Sequence, residues 1–331
     1  MKTWQKLFVA AAVVTVLIVS GTLVYLTYFA KRRLIVSTTT SLYEAGLLNG
    51  VERAFEARYP IDLQFIAAGT GVAIEQARNG DVDAVLVHSP SQELTFLQQG
   101  FGVSRKIIAY NFFTIVGPEA DPANITGLNS TEALKKIADY GMTQAGKVWV
   151  SRGDNSGTHT KEQSLWKSAS FNYTVVANQS WYASAGAGMG ETLLKANEFS
   201  AYTLSDIGTY LKYYEKEQLV TLKSFIGEKY ELLNVYSVIA VNQTRHKHVN
   251  SEDAVTFMKF LVSDECQQLI EDFGKNDYGT SGRLFHQTAQ LIAQNSTEQM
   301  MQWIREYAMK PFGGSECQEE YRDSRYPELY S

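Results

Sequence analysis

The sequence predicts an α/β protein of two lobes, and three observations carry that prediction. Apolar, β-branched runs alternate with amphipathic helical runs at short intervals, the pattern of a largely parallel sheet flanked by helices. A polar turn rich in Ser, Thr or Gly follows each of several of these strands. Finally, one strand leads out of the first such unit and a later strand leads back, so the second unit is inserted into the first.

Residues 7–30, "LFVAAAVVTVLIVSGTLVYLTYFA", carry no charge. At 1.5 Å per residue such a run can cross a ~30 Å hydrocarbon core. A cleaved signal peptide has a shorter apolar core and a small-x-small site. This run is longer, ends in Tyr25, Tyr28 and Phe29, and is followed by no cysteine to carry a lipid. It reads as an uncleaved N-terminal transmembrane helix, with residues 1–33 as the anchor. Lys2 and Lys6 favour an inside N-terminus, whereas Lys31, Arg32 and Arg33 oppose it.

From Leu34, "LIVSTTTS" reads as a strand, then a turn supplying a helix cap. Leu47, Leu48, Val51, Ala54 and Phe55 follow at helical spacing until Pro60. The plan repeats as strand 61–67, turn 69–71, helix 72–79 and strand 83–88. "NFFTIVGP" is the strand leading away. In the second unit "KVWVSRGDNSGTHTKEQSLW" is again strand, turn and helix, and "WYASAGAGMGETLLKANEFSAYTLSDIGTYL" adds two more steps. "LLNVYSVIAVN" returns, and "SEDAVTFMKFLVSDECQQLIEDFG" is an amphipathic helix pair. The domain expectation is lobe one at 34–113 plus 237–286 and lobe two at 114–236. Chain crossings near Asn111–Phe113 and Tyr236–Ser237 would form a hinge. Residues 287–331 are a helical extension (287–310) and a polar tail.

The chain has 331 residues, a net charge of -5, 45% hydrophobic and 20% charged residues. That composition is globular, and the acidic balance argues against a nucleic-acid partner. Asn-x-Ser/Thr occurs at Asn124, Asn129, Asn172, Asn178, Asn242 and Asn295, where about two are expected by chance. The excess points to an extracytoplasmic, glycosylated body. Cys266 and Cys317 are too few for a four-cysteine zinc site. Outside the cell they could form one disulfide across about 50 residues, or remain thiols.

Four turns carry the chemistry: "TTTS" (38–41), "GTG" (69–71), "RGDNSGT" (152–158) and "GAGMG" (186–190). Each falls at a helix N-terminus, where free amides and the helix dipole favour an anion. Hydroxyls donate to oxygen, glycine lets backbone approach, and Arg152 adds a fork of donors that Asp154 can orient. The candidates are Thr39, Thr40, Ser41, Thr70, Gly71, Arg152, Ser156 and Thr158, supported by Asp154, His88 and Gly188. Catalysis is disfavoured. Ser156 and His159 are three residues apart on one helix, no Gly-x-Ser-x-Gly elbow occurs, and "HKHV" (His246, His248) is a weak metal candidate. "SRGD" holds an adhesion tripeptide, but one placed before a helix rather than at a loop tip.

These motifs, together with "AAGTGVAIEQARNGDVDAVLVHSP" and "QGFGVSRKIIAYNFFTIVGP", resemble the tungstate-binding proteins of ABC-type importers from about Ile35 to Phe285. The resemblance implies a type II periplasmic-binding-protein clamshell with mixed sheets, one oxyanion held between the lobes, no cofactor, and ABC permease subunits as partners. It implies that Thr39, Thr40, Ser41, Thr70, Gly71, Arg152, Ser156 and Thr158 hold the ion. Tungstate and molybdate match in charge and shape, and only the resemblance prefers tungstate. Phosphate-binding cousins place an aspartate acceptor about where His88 stands here. The expected protein is a single-pass, membrane-anchored receptor. The alternative is an extracellular sensor or surface-layer component on the same fold, with the unmatched tail as its contact.

Overall fold

A computed structural model of the chain describes residues 4, 12–20, 31–227, 229–275 and 284–330. Residues 12–20 are helical, and no helix among the described residues is long and apolar enough to cross a membrane. Most of the apolar run 7–30 that reads as an anchor lies outside the described residues.

In the first lobe, β1 (Arg32–Thr39) lies between β2 (Ile61–Ala68) and β3 (Ala84–Val87), parallel to both. β9 (Leu233–Val241) pairs antiparallel with β3 and with β4 (Gly102–Pro118). In the second lobe, β5 (Trp149–Ser151) lies parallel between β6 (Tyr182–Ser184) and β7 (Tyr202–Asp206). The far end of β4 pairs antiparallel with β7 and with β8 (Leu222–Ile226). β4 is thus one 17-residue strand shared by both sheets: residues 102–112 pair with β9, and 113–118 with the second lobe. The return crossing enters β9 through a single 3-10 turn, Tyr230–Leu232.

Strand alternation gives the first sheet two covered faces. Ala84, Leu86, Val238 and Ala240 pack under one set of helices, while Val85, Val87, Ile239 and Val241 face the other way. This corrects the disulfide expectation. Cys266 is buried in the first of these clusters and Cys317 in the second, so the sheet stands between two free thiols.

The helices of lobe one are α1 (Thr40–Ala45), α2 (Leu47–Arg58), α3 (Thr70–Asn79) and α4 (Pro90–Gln98). The helix expected to run unbroken up to Pro60 is split at Gly46, whose φ of 95° is left-handed. Lobe two contributes α5 (Ser130–Gly141), α6 (Gly157–Ser168), α7 (Tyr173–Ala177), α8 (Met189–Phe199) and α9 (Ile207–Glu215). The returning pair is α10 (Ser251–Leu261) and α11 (Asp264–Asp272).

The extension differs from its expected form. Its helix is broken into α12 (Ala289–Ala293) and α13 (Gln299–Ile304), followed by a π-helical turn, Arg305–Met309. Phe312 and Cys317 of the polar tail are fully buried against α4 and the first sheet. Among the sequon asparagines, Asn124, Asn129, Asn172, Asn178 and Asn295 are exposed. Asn242 is half-buried, and its side-chain amide donates to the Gly100 carbonyl at 2.9 Å. His246 and His248 bond the carbonyls of Arg78 and Gly80, and no group of three metal-type ligands occurs among the described residues.

Candidate functional site

β1 ends in Thr39, whose side chain caps α1 by accepting from the Leu42 amide at 3.3 Å. Ser41 lies 3.3 Å from the same hydroxyl and is fully buried. β2 feeds α3 through Gly69, which caps it without a side chain. The helix begins at Thr70 rather than at 72, so Thr70 and Gly71 sit in its first turn among the unpaired amides.

The third turn reaches these two from lobe two. Gly153 has φ +63, and a Cβ there would lie 1.8 Å from Ser184 Oγ, so only glycine fits. Asp154 accepts Arg152 Nη2 at 2.5 Å on one oxygen and the Ser156 amide at 3.2 Å on the other. The arginine is thereby oriented as the sequence suggested. Ser156 caps α6, accepting from the His159 amide at 3.2 Å. Glu162 fixes the base of this turn. It is buried and accepts from Ser151 Oγ, Trp149 Nε1 and Tyr182 OH, tying α6 to β5 and β6.

Two hydrogen bonds close the lobes on each other here. Arg152 Nη2 donates to Thr40 Oγ1 at 3.0 Å, and the Gly157 amide donates to Thr70 Oγ1 at 3.1 Å. Gly71 abuts the Asn155 carbonyl, 3.4 Å from where a Cβ would stand. Thr39, Ser41, Thr70, Arg152, Ser156 and Thr158 are all buried, none above 2% exposed. Yet Arg152 Nε and Nη1 and Thr158 Oγ1 have no hydrogen-bond partner among the described residues. The Thr39, Thr70 and Ser156 hydroxyls each accept a backbone N–H, so each keeps its own proton to donate. The arrangement is a buried cluster, mostly of donors, around one guanidinium, suited to a small oxyanion.

His88 lies beside this cluster. Its Nδ1 is 2.7 Å from Asn234 Oδ1, and Asn234 donates its amide to Asn111 Oδ1 and Tyr236 OH. Nδ1 therefore carries the proton. Burial pushes the imidazole down to about 3, against the Asn234 bond and aided by the Arg152 and Lys161 charges. The neutral ring packs on α6 so tightly that a Cβ on Gly157 would lie 2.5 Å from His88 Cε1. His159 serves the turn rather than any nucleophile. Its Nδ1 accepts the Asn155 amide at 3.0 Å, and its Nε2 meets Tyr173 OH at 2.7 Å.

The fourth turn is not free to hold an anion, contrary to the expectation for "GAGMG". Glu44, on α1, places its carboxylate at the N-terminus of α8. It accepts the Gly190 amide at 3.3 Å, and its other oxygen lies 3.2 Å from the Cβ position of Gly188. Burial raises its pKa, with the Gly190 bond opposing. Sequence reasoning missed Glu44, although its position four residues after Thr40 puts both on one helical face. It also missed Asp206, a fully buried cap of α9 whose pKa burial raises and Arg152 partly restores.

The fold and this interlobe cluster define the class as a solute-binding protein of periplasmic-binding-protein type, and residues 22–265 match the PBP superfamily domain. The tungstate-binding protein TupA of Peptoclostridium acidaminophilum is 37% identical over 253 residues, 76% of this chain and 84% of that protein. The structure of the tungstate-binding protein TupA from Desulfovibrio alaskensis G20 aligns with a TM-score of 0.64 at 38% identity, covering 78% of this chain and 99% of that one. That of the tungstate ABC transporter from Geobacter sulfurreducens gives 0.65 at 40% identity, covering 73% and 98%. The chain belongs to the TupA family of tungstate-binding proteins within that superfamily.

Proposed function

We propose that this protein captures tungstate, with molybdate as the nearest alternative, between its two lobes and delivers it to the permease of an ABC importer. The observation that carries the reading is the buried Arg152 guanidinium with Nε and Nη1 unpartnered. An unpaired buried donor costs about 1–3 kcal/mol, more when charged, and an oxyanion relieves that cost at both atoms. A tetrahedral dianion that carries no proton at neutral pH needs donors only, which is what Thr39, Thr40, Ser41, Thr70, Ser156 and Thr158 supply around Arg152. The lobes open about the β4 and β9 crossings for entry and close when the ion bridges them. No covalent step is assigned to any residue. The apolar segment 7–30 holds the body at the outer face of the membrane, and the exposed sequons carry glycans. Titration calorimetry with tungstate, molybdate, sulfate and phosphate tests the binding reading. One site that takes tungstate and molybdate far ahead of phosphate is expected. No heat from either metal oxyanion would remove it.

A further inference from the structure

The residues after 286 lie beyond the span matched by the superfamily domain, which ends at 265. They are built firmly into lobe one. Arg105, fully buried on β4, donates to the carbonyls of Ala308 and Glu316 at 3.1 and 2.7 Å and pairs with Glu93 at 2.8 Å. Its guanidinium stands 3.9 Å from the centre of the Phe312 ring. Tyr330 OH accepts the Arg105 amide at 2.8 Å. The extension therefore moves with lobe one.

It also lies over the place where the chain crosses between lobes. Met301, Ile304, Ala308 and Met309 pack on Ile107, Tyr110, Phe112, Leu233 and Val235, the stretches of β4 and β9 at the crossings. From there, among the described residues, it meets lobe two through two aromatic rings. The Tyr307 ring sits 4.4 Å below the ammonium of Lys161, and the Trp303 ring lies 6.2 Å from that of Tyr230. Lys161 is only 8% exposed and belongs to α6, the helix whose first turn holds Ser156 and Thr158. It also donates to the Leu233 carbonyl at 3.0 Å and lies 5.8 Å from the Phe113 ring, both at the crossings.

We infer that the C-terminal extension is a third part of the binding device, a brace on lobe one that holds α6 in the closed position through Tyr307 and Lys161. Rotating the lobes apart moves α6 against an element fixed to lobe one, so the Lys161–Tyr307 contact belongs to the closed form. Breaking it leaves entry unaffected and speeds release. Tyr307 and Lys161 are positioning residues, since neither reaches the anion cluster.

The inference rests on the tungstate reading, and the test separates the two. Burial pushes Lys161 down to about 7, with the Glu231 charge opposing, so stopped-flow mixing of the full chain with tungstate at pH 6 gives association and release rates with the cation in place. A cation over an aromatic ring contributes about 0.5–2 kcal/mol, so Tyr307→Ala should speed release about 2- to 30-fold with association unchanged. Tyr307→Phe keeps the ring and should behave as wild type. Lys161→Met should match Tyr307→Ala, and the double variant should be no faster than either single one. A variant that merely folded poorly would lower the fraction of active protein without altering the release rate. Unchanged release in Tyr307→Ala, with wild type binding normally, overturns the brace and leaves the tungstate reading standing. A wild type that does not bind tungstate overturns both.

Discussion

The Gly157 amide donates to Thr70 Oγ1 at 3.1 Å, so the first turns of two helices from opposite lobes meet at one hydroxyl. That hydroxyl accepts from one lobe and still has its own proton for an anion. Thr70→Ala should therefore lose two interactions together. At about 0.5–1.5 kcal/mol for a net hydrogen bond, and about 1–3 for the Gly157 amide left buried and unpaired, affinity should drop at least tenfold. It should also reduce the compaction that tungstate causes, because an ion closes the lobes only as far as it binds the closed form better. Small-angle scattering with and without tungstate reads this directly. A tightly binding wild type with unchanged dimensions would place closure before binding.

Arg152 carries the charge of the site. Its Nη2 is committed to Thr40 and Asp154, leaving Nε and Nη1 for the ligand. Arg152→Ala should cost roughly 2–5 kcal/mol of binding, the range for removing a charged donor from a buried partner. Arg152→Lys keeps the charge but loses the planar fork, and should recover only part of it. Calorimetric dissociation constants for the three proteins check the order wild type, Lys, Ala. An Ala variant equal to wild type would mean the ion sits elsewhere.

Much of this site was legible in the sequence, because its logic is local. A hydroxyl residue after a strand and before a helical run caps that helix whatever the rest of the chain does, and Thr39 and Ser156 do so here. What escaped was decided by contacts across the lobes. Glu44 looks like an ordinary helix-surface carboxylate until α8 is brought against it, and Lys161 looks solvent-facing until the extension covers it. The sequence pattern places the start of α3 two residues late, because glycines at 69 and 71 read as a loop, whereas the helix already includes Thr70. The extension was harder still. Its anchor is Arg105, a basic residue inside an apolar strand that donates to extension carbonyls about 200 residues further along the chain.

Phosphate should compete poorly. Near neutral pH it keeps a proton and needs an acceptor, yet both oxygens of Asp154 already receive donors. His88 offers no carboxylate, only a neutral ring whose Nε2 is a weak acceptor held against Gly157. Millimolar phosphate should leave the binding of micromolar tungstate nearly unchanged at pH 7. Ready displacement would show that another acceptor, His88 Nε2, Glu44 or Asp206, takes the phosphate proton, and His88→Leu, Glu44→Gln and Asp206→Asn would then identify it.

His88 also makes a pH signature. Its folded-state pKa, about 3, lies below its ordinary value of 6.5. Between those values the unfolded chain binds a proton that the folded chain excludes. Stability contributed by the neutral imidazole is complete above 6.5 and is lost as pH falls toward 3, by up to about 1.4 kcal/mol per pH unit. The charges that bear on the ring, Arg152 and Lys161, act in the same direction as burial. Buried carboxylates such as Glu162 and Asp206, whose pKa values are raised, pull the opposite way over this range. They do so in wild type and variant alike. His88→Gln retains an amide donor toward Asn234 and removes the titration. Denaturant unfolding from pH 7 to pH 4 should therefore show wild type losing stability more steeply than His88→Gln, with the two curves parallel above pH 7. Equal slopes between pH 4 and 6.5 would mean that His88 is charged in the folded protein, and that its Nε2 donates to the site instead of lying neutral beside it.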